Sequence, residues 1–253
     1  MLIDTHTHLY LNEFANDINS VVKRAAAEGV EKFYLPAIDS SETENLLKLE
    51  ELYPGKCFAM MGLHPCSVKD NYQHELDLVY AWLQKRKFAA VGEIGLDFYW
   101  DKSFTDQQYA AFHRQTEWAL KFNLPLVLHT RDAVQQSIDV VKEYHGKGLQ
   151  GIFHCFGGTL QQALEIIEEG FYLGIGGVIT YKNAGLAEVV KEIDLKNIVL
   201  ETDAPYLTPV PFRGKRNESS YLKFVVAKFA EVKNITVDEV AAATTKNALE
   251  IFG

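Results

Sequence analysis

Short runs of aliphatic and β-branched residues alternate with longer segments whose apolar positions recur at helical spacing, from one end of the chain to the other. The pattern predicts eight strands, at residues 2–9, 32–38, 57–64, 89–96, 125–129, 151–156, 171–175 and 198–202. Start and stop signals mark helices between them: 17–28 ends at Gly29, 41–52 ends before Pro54 and Gly55, and 105–122 carries Asp106 in its first turn. Two more helices, 220–232 and 237–252, follow the last strand, the second with Thr236 as N-cap and Asp238 and Glu239 near its positive end. Regular strand-helix alternation builds a parallel sheet, and eight strands close a ring. The expected fold is α/β, a (β/α)8 TIM barrel made of a single domain over 1–253, with a doubly wound open sheet as the alternative.

Composition adds limits. With 253 residues, 47% of them hydrophobic, the chain can bury one large core. A net charge of −9 excludes broad electrostatic coating of nucleic acid, so any such contact must be local and cationic through metal ions or a few side chains. Cys57, Cys66 and Cys155 are too few and too scattered for a disulfide framework, which suits a reducing cytoplasm. The start of the chain lacks a signal-peptide pattern, and no apolar run approaches the ~18–20 residues of a membrane span. A cytoplasmic protein without an obligate protein partner is expected.

The chemistry lies at the strand ends. His6 and His8 are two apart, so on a strand they project together and can chelate one ion, although a lone H-x-H also arises by chance. Glu93, His129, His154 and Asp203 each close a different apolar run, where β/α barrels place their active sites. Four imidazoles and two carboxylates suit two divalent ions such as Zn²⁺ or Mn²⁺, with Mg²⁺ admissible through bridging waters. Burying those carboxylates without a cation would be costly.

The motifs Asp4-Thr5-His6-Thr7-His8-Leu9, Gly62-Leu63-His64-Pro65, Gly92-Glu93-Ile94-Gly95-Leu96-Asp97, His129-Thr130-Arg131-Asp132-Ala133, His154-Cys155-Phe156-Gly157-Gly158, Glu201-Thr202-Asp203-Ala204-Pro205 and Arg213-Gly214-Lys215-Arg216-Asn217-Glu218 follow in this order. In that order the chain resembles the TatD-type deoxyribonucleases of the metal-dependent hydrolase superfamily over nearly its whole length. The resemblance implies that His6, His8, Glu93 and Asp203 hold one ion while Glu93, His129 and His154 hold the other. It also implies a water activated by two metals that cleaves phosphodiesters, with exonuclease character and DNA ends or single strands as substrate.

Around these ligands, several side chains have both a functional and a plain reading. Asp203 either takes the proton of the attacking water or serves only as a ligand. His64 either donates to a phosphate oxygen or is a hydrogen-bonded loop histidine. Arg131 either grips phosphate or pairs with a local carboxylate such as Asp132, and Arg213 and Arg216 belong either to a phosphate grip or to a solvated loop. Glu201, and less directly Asp97, would orient a ligand imidazole. Phe98-Tyr99-Trp100 would stack unpaired bases or, more simply, pack on the barrel rim. Strand alternation turns Cys155 away from His154, and His74, His113 and His145 fall on helical segments as ordinary residues. The same centre would serve hydrolysis of a small amide, lactone or ester, and a non-catalytic metal-binding module is a third reading.

Overall fold

In a computed structural model that describes residues 1–253, the alternation becomes eight parallel strands. They are β1 (Leu2–Asp4), β2 (Val30–Leu35), β3 (Cys57–Ala59), β4 (Val91–Asp97), β5 (Leu126–Arg131), β6 (Gly151–Phe153), β7 (Phe171–Ile175) and β8 (Ile198–Leu200). β1 to β3 pair in sequence order, as do β4 to β8. Two seams join these sheets. A parallel bridge links Met61 to Val91, with the Gly92 amide donating to the Met61 carbonyl at 3.1 Å. On the other side the Thr5 amide donates to the Leu200 carbonyl at 3.1 Å and the Asp203 amide to the His6 carbonyl at 2.9 Å. The ring is closed and its order is sequential, so the doubly wound alternative, whose order reverses at a switch point, does not apply.

Nine helices follow: α1 (Ile18–Ala27), α2 (Thr43–Leu52), α3 (Tyr72–Lys85), α4 (Thr105–Phe122), α5 (Val134–Lys142), α6 (Leu160–Glu168), α7 (Leu186–Glu192), α8 (Leu222–Lys233) and α9 (Val237–Phe252). Helix α9 starts as its sequence predicts. The Thr236 hydroxyl accepts from the Glu239 amide while the Glu239 carboxylate accepts from the Thr236 amide, a reciprocal cap. No helix is long and apolar enough to cross a membrane.

The core has two layers. Most apolar side chains fill the space between strands and helices. A smaller cluster takes one residue from each of seven strands or their immediate ends (Ile3, Tyr34, Met60, Ala90, Val127, Ile152 and Val199) and so occupies the barrel lumen. Ala248 and Ile251 of α9 join it from below and close the floor.

Five strands stop earlier than their apolar runs predict, because the ladders end at Asp4, Leu35, Ala59, Phe153 and Leu200. Beyond those points the backbone leaves regular pairing to present polar side chains. Cys155 and Asp203 take φ values of 47° and 55°, a region that non-glycine residues seldom occupy away from functional sites. The pairing of His6 with His8 therefore does not rest on strand alternation. Thr5 bonds toward β8 and Thr7 toward Tyr34 of β2, and this irregular segment carries both histidines.

Candidate metal centre

Above the luminal floor, the same chain segments carry polar groups two residues further on: His129 after Val127, His154 after Ile152 and Glu201 after Val199. Glu93 sits among them, 2% exposed, and its two carboxylate oxygens face different neighbours. Oε2 lies 3.1 Å from His6 Nε2 and 3.7 Å from His8 Nε2, and Asp203 Oδ1 lies 3.8 and 3.5 Å from the same two nitrogens. Oε1 lies 2.9 Å from His129 Nδ1 and 3.8 Å from His154 Nε2. One carboxylate thus stands between two groups of donors.

Outer partners decide which ring nitrogen of each histidine is free. His129 sits between two carboxylates, with Nε2 2.8 Å from Asp97 Oδ2 and Nδ1 2.9 Å from Glu93 Oε1, so Asp97 holds the ring with Nδ1 turned to the centre. His154 Nδ1 lies 3.0 Å from Glu201 Oε1, though without an aligned hydrogen bond, and its Nε2 faces Glu93 Oε1 at 3.8 Å. The Tyr10 hydroxyl donates to the Pro36 carbonyl at 2.6 Å, so it accepts from His8 Nδ1 at 3.1 Å and leaves Nε2 inward. His64 is the reverse. Its Nδ1 accepts the Cys66 amide at 3.0 Å, so its hydrogen sits on Nε2, 3.5 Å from Glu93 Oε1 and 3.3 Å from His129 Nδ1.

Both nitrogens of His6 are buried without a hydrogen-bond partner, a loss that a bound cation would make good. The His6 ring stacks on that of His154 with centroids 3.3 Å apart. Two imidazoles this close are best tolerated when a cation, and not a second proton, lies between their nitrogens and the acids. His6, His8 and Asp203 offer ligand atoms within 4.8 Å of one another, as do His6, Glu93 and His154. The donor set therefore fits divalent ions that accept nitrogen and oxygen.

Electrostatics keep the acids charged. Burial alone would push the Glu93 carboxyl up, but His6, His64, His154 and His129 hold it well below the ordinary carboxylate range. Asp203 is likewise held low, burial being outweighed by His154, His8 and His6. Local sequence makes room for the cluster. A Cβ at Gly174 would stand 2.4 Å from Glu201 Oε2, and one at Gly95, where φ is 130°, would stand 2.2 Å from the His129 carbonyl.

Residues around the centre divide differently. Arg131 pairs with no carboxylate; its guanidinium carbon lies 3.9 Å from the Tyr99 ring centroid and 5.4 Å from that of Trp100. Arg213 lies 4.3 Å over Tyr181. Arg216 departs from the expected phosphate grip, because Asp17 holds it bidentately at 2.8 Å and the Glu13 carbonyl accepts a further bond. Its donors serve the fold. Tyr99 and Trp100 depart from the expected rim packing, being 52% and 67% exposed. Cys155 also departs from expectation: at its positive φ the thiol comes within 4.8 Å of ligand atoms of His154 and Glu201, where burial and three nearby acids push it well above its usual range and keep it protonated. His74 and His113 lie in α3 and α4, but His145 sits in the turn after α5, 2.8 Å from Glu169. Cys66 and Tyr10 escape a motif-based reading: the Cys66 amide and the Tyr10 hydroxyl each bond a histidine near them in sequence, and the Cys66 thiol also bears on Asp97 and lies beside His129.

Fold and site together define a metal-dependent hydrolase of the β/α-barrel class. The family model described as TatD related DNase matches residues 3–253, and the chain belongs to that family. It is 40% identical over 253 residues to an uncharacterized metal-dependent hydrolase, YabD, of Bacillus subtilis, covering 100% of this chain and 99% of that one. It is 31% identical over 257 residues to the 3'-5' ssDNA/RNA exonuclease TatD of Erwinia tasmaniensis, covering 99% of each. The crystal structure of YJJV, a TatD homolog from Escherichia coli, superposes with a TM-score of 0.94 at 31% identity over 99% of this chain and 97% of that one.

Proposed function

We propose that this chain hydrolyses phosphodiester bonds at the ends or in single-stranded parts of DNA, using two divalent cations held on either side of Glu93. The observation that carries the reading is the arrangement around Glu93: His6 and His8 lie on its Oε2 side and His129 and His154 on its Oε1 side, while His64, whose Nδ1 accepts the Cys66 amide, turns its Nε2 proton toward the same centre. Clustered imidazoles and carboxylates suit cations and the His64 N–H suits an anionic oxygen, which supports metal ions and a phosphate acting together.

In this reading Glu93, His6, His8 and Asp203 would hold one ion, and Glu93, His129 and His154 would hold the other. Such a pair, when bound, lowers the pKa of a shared water and offsets charge on the phosphoryl oxygens. Asp203, at 14% the most exposed of the cluster's acids, is placed to accept a proton from an attacking water. His64 Nε2 donates to a non-bridging phosphate oxygen. Arg131 and Arg213, free of carboxylates, engage phosphates on either side of the one attacked. Asp97 and Glu201 touch no substrate; they keep two imidazoles turned inward. The name of the Erwinia relative supports the same reading.

The test is release of nucleotides from end-labelled single-stranded and duplex DNA with Mg²⁺, Mn²⁺ or Zn²⁺, beside EDTA and His129→Ala controls. Metal-dependent shortening that both controls abolish is expected. Intact DNA under every metal, from protein that binds two ions, would reject the phosphodiester and direct the search to small amides, lactones and esters.

A further inference from the structure

The chain has six arginines, and four are committed to carboxylates: Arg24 to Glu218 and Asp17, Arg86 to Glu50, Arg114 to Asp77 and Arg216 to Asp17. Arg131 and Arg213 alone make no ion pair. Both lie at C-terminal strand ends or in the loops beyond them, and both are backed by a tyrosine ring. In a chain of net charge −9, guanidinium groups left free at the barrel mouth call for an anionic ligand.

Around Arg131 the surface is also aromatic. Tyr99 and Trp100 stand perpendicular with centroids 4.9 Å apart, and each residue is more than half exposed. Arg131 covers one face of Tyr99 at 3.9 Å and lies more loosely over Trp100 at 5.4 Å, so Trp100, the more exposed of the two, keeps the larger free surface. These rings are not on a loose loop. Asp97 Oδ1 accepts the amides of Tyr99 and Trp100 at 3.0 and 2.9 Å, while Oδ2 of the same carboxylate accepts from His129 at 2.8 Å. One side chain therefore fixes the aromatic pair relative to the candidate metal centre.

We infer that Tyr99, Trp100 and Arg131 form a nucleotide subsite beside the metal centre, in which Trp100 stacks the base of a nucleotide next to the scissile phosphate and Arg131 binds that nucleotide's phosphate. The inference rests on the phosphodiesterase reading above. A π face and a cation together recognise any base with little sequence preference, provided the base is unpaired. The subsite accordingly selects single-stranded over duplex ends, because a paired base keeps its faces in the helical stack.

The test compares the metal-loaded wild type, Trp100→Ala and Trp100→Phe on a single-stranded oligonucleotide and on versions with one abasic position at or near the cleaved end. Trp100→Ala is expected to raise KM about 5- to 100-fold with kcat changed by no more than about twofold, and Trp100→Phe to recover most of the loss. One abasic position should raise the wild-type KM by a similar factor yet leave the Trp100→Ala KM unmoved, since both changes remove the same contact. Cleavage with an unchanged KM in Trp100→Ala, or losses that simply multiply, would overturn the subsite and leave the phosphodiesterase standing. Failure of the wild type to cleave any oligonucleotide would overturn both.

Discussion

The floor and the mouth of the barrel lumen are made largely by the same segments two residues apart, and much of the mouth is as buried as the floor. Val127, Ile152 and Val199 are at most 1% exposed, and Glu93, His154 and Glu201 at most 4%. The floor is stable by burial alone, since each aliphatic side chain leaves water at no polar cost. The mouth cannot be. Its imidazoles and carboxylates are tolerated because each charge faces an opposite one and because cations would complete the set. Floor substitutions should therefore change stability and leave metal chemistry intact, and mouth substitutions should do the reverse.

The sharpest separation comes from Glu93→Gln. It removes the one carboxylate that stands between both donor groups, so metal-dependent hydrolysis should fall by well over the roughly 10- to 100-fold that loss of an outer partner costs. Metal content by mass spectrometry should drop below that of the wild type, while the metal-stripped protein keeps its far-ultraviolet spectrum. Retention of two ions and of activity would place the centre elsewhere. The converse is Ile152→Ala in the floor, which should cost about 2–5 kcal/mol and lower Tm by roughly 5–15 °C. Metal affinity of the folded fraction should not change, and a loss of affinity as large as that in Glu93→Gln would mean the two layers are not separate.

A smaller effect lies between the layers. Asp97→Asn retains the bonds to the Tyr99 and Trp100 amides if its oxygen faces them, but loses the negative charge opposite His129 Nε2. Affinity for metal should fall about 10- to 100-fold with little change in Tm, readable by titration against a competing chelator. An unchanged affinity would show that the Glu93 contact alone orients the His129 ring.

This contrast also explains what can be read from the chain. The floor follows from periodicity, and helices α4 and α9 fall at the predicted residues because their ends carry local signals. The rule that β/α barrels carry function at strand ends picks out His6, His8, Glu93, His129, His154 and Asp203, and these six converge. What periodicity misplaces lies where the backbone leaves the ladder. The positive φ of Cys155 turns its thiol toward His154, against strand alternation. Arg216 looks like its loop neighbour Arg213 in sequence, yet Asp17, 199 residues away, takes it. The exposure of Tyr99 and Trp100 is invisible to composition, because it depends on where Asp97 anchors their amides.

The smallest expected effect concerns a third way of placing charge, the ion pairs of Arg24 and Arg216 with Asp17 and Glu218 along α1. Arg24 is 46% exposed there, so solvent screens the pair and limits its worth to about 1 kcal/mol or less. Burial pushes the Glu218 carboxyl up, but bonds from Arg24 and Ser220 outweigh it and hold the group below its ordinary value of 4.5. A carboxyl held low when folded binds fewer protons than in the unfolded chain, so its contribution is complete above that ordinary value. It disappears as pH falls through the lower, folded value. Glu218→Gln should therefore melt about 2–4 °C below the wild type at pH 7, with the gap closing as the pH drops below about 4.5 in metal-free buffer. A gap that stays constant down to pH 3 would mean that Glu218 stabilises by packing and by its bond to Ser220, with its charge contributing nothing.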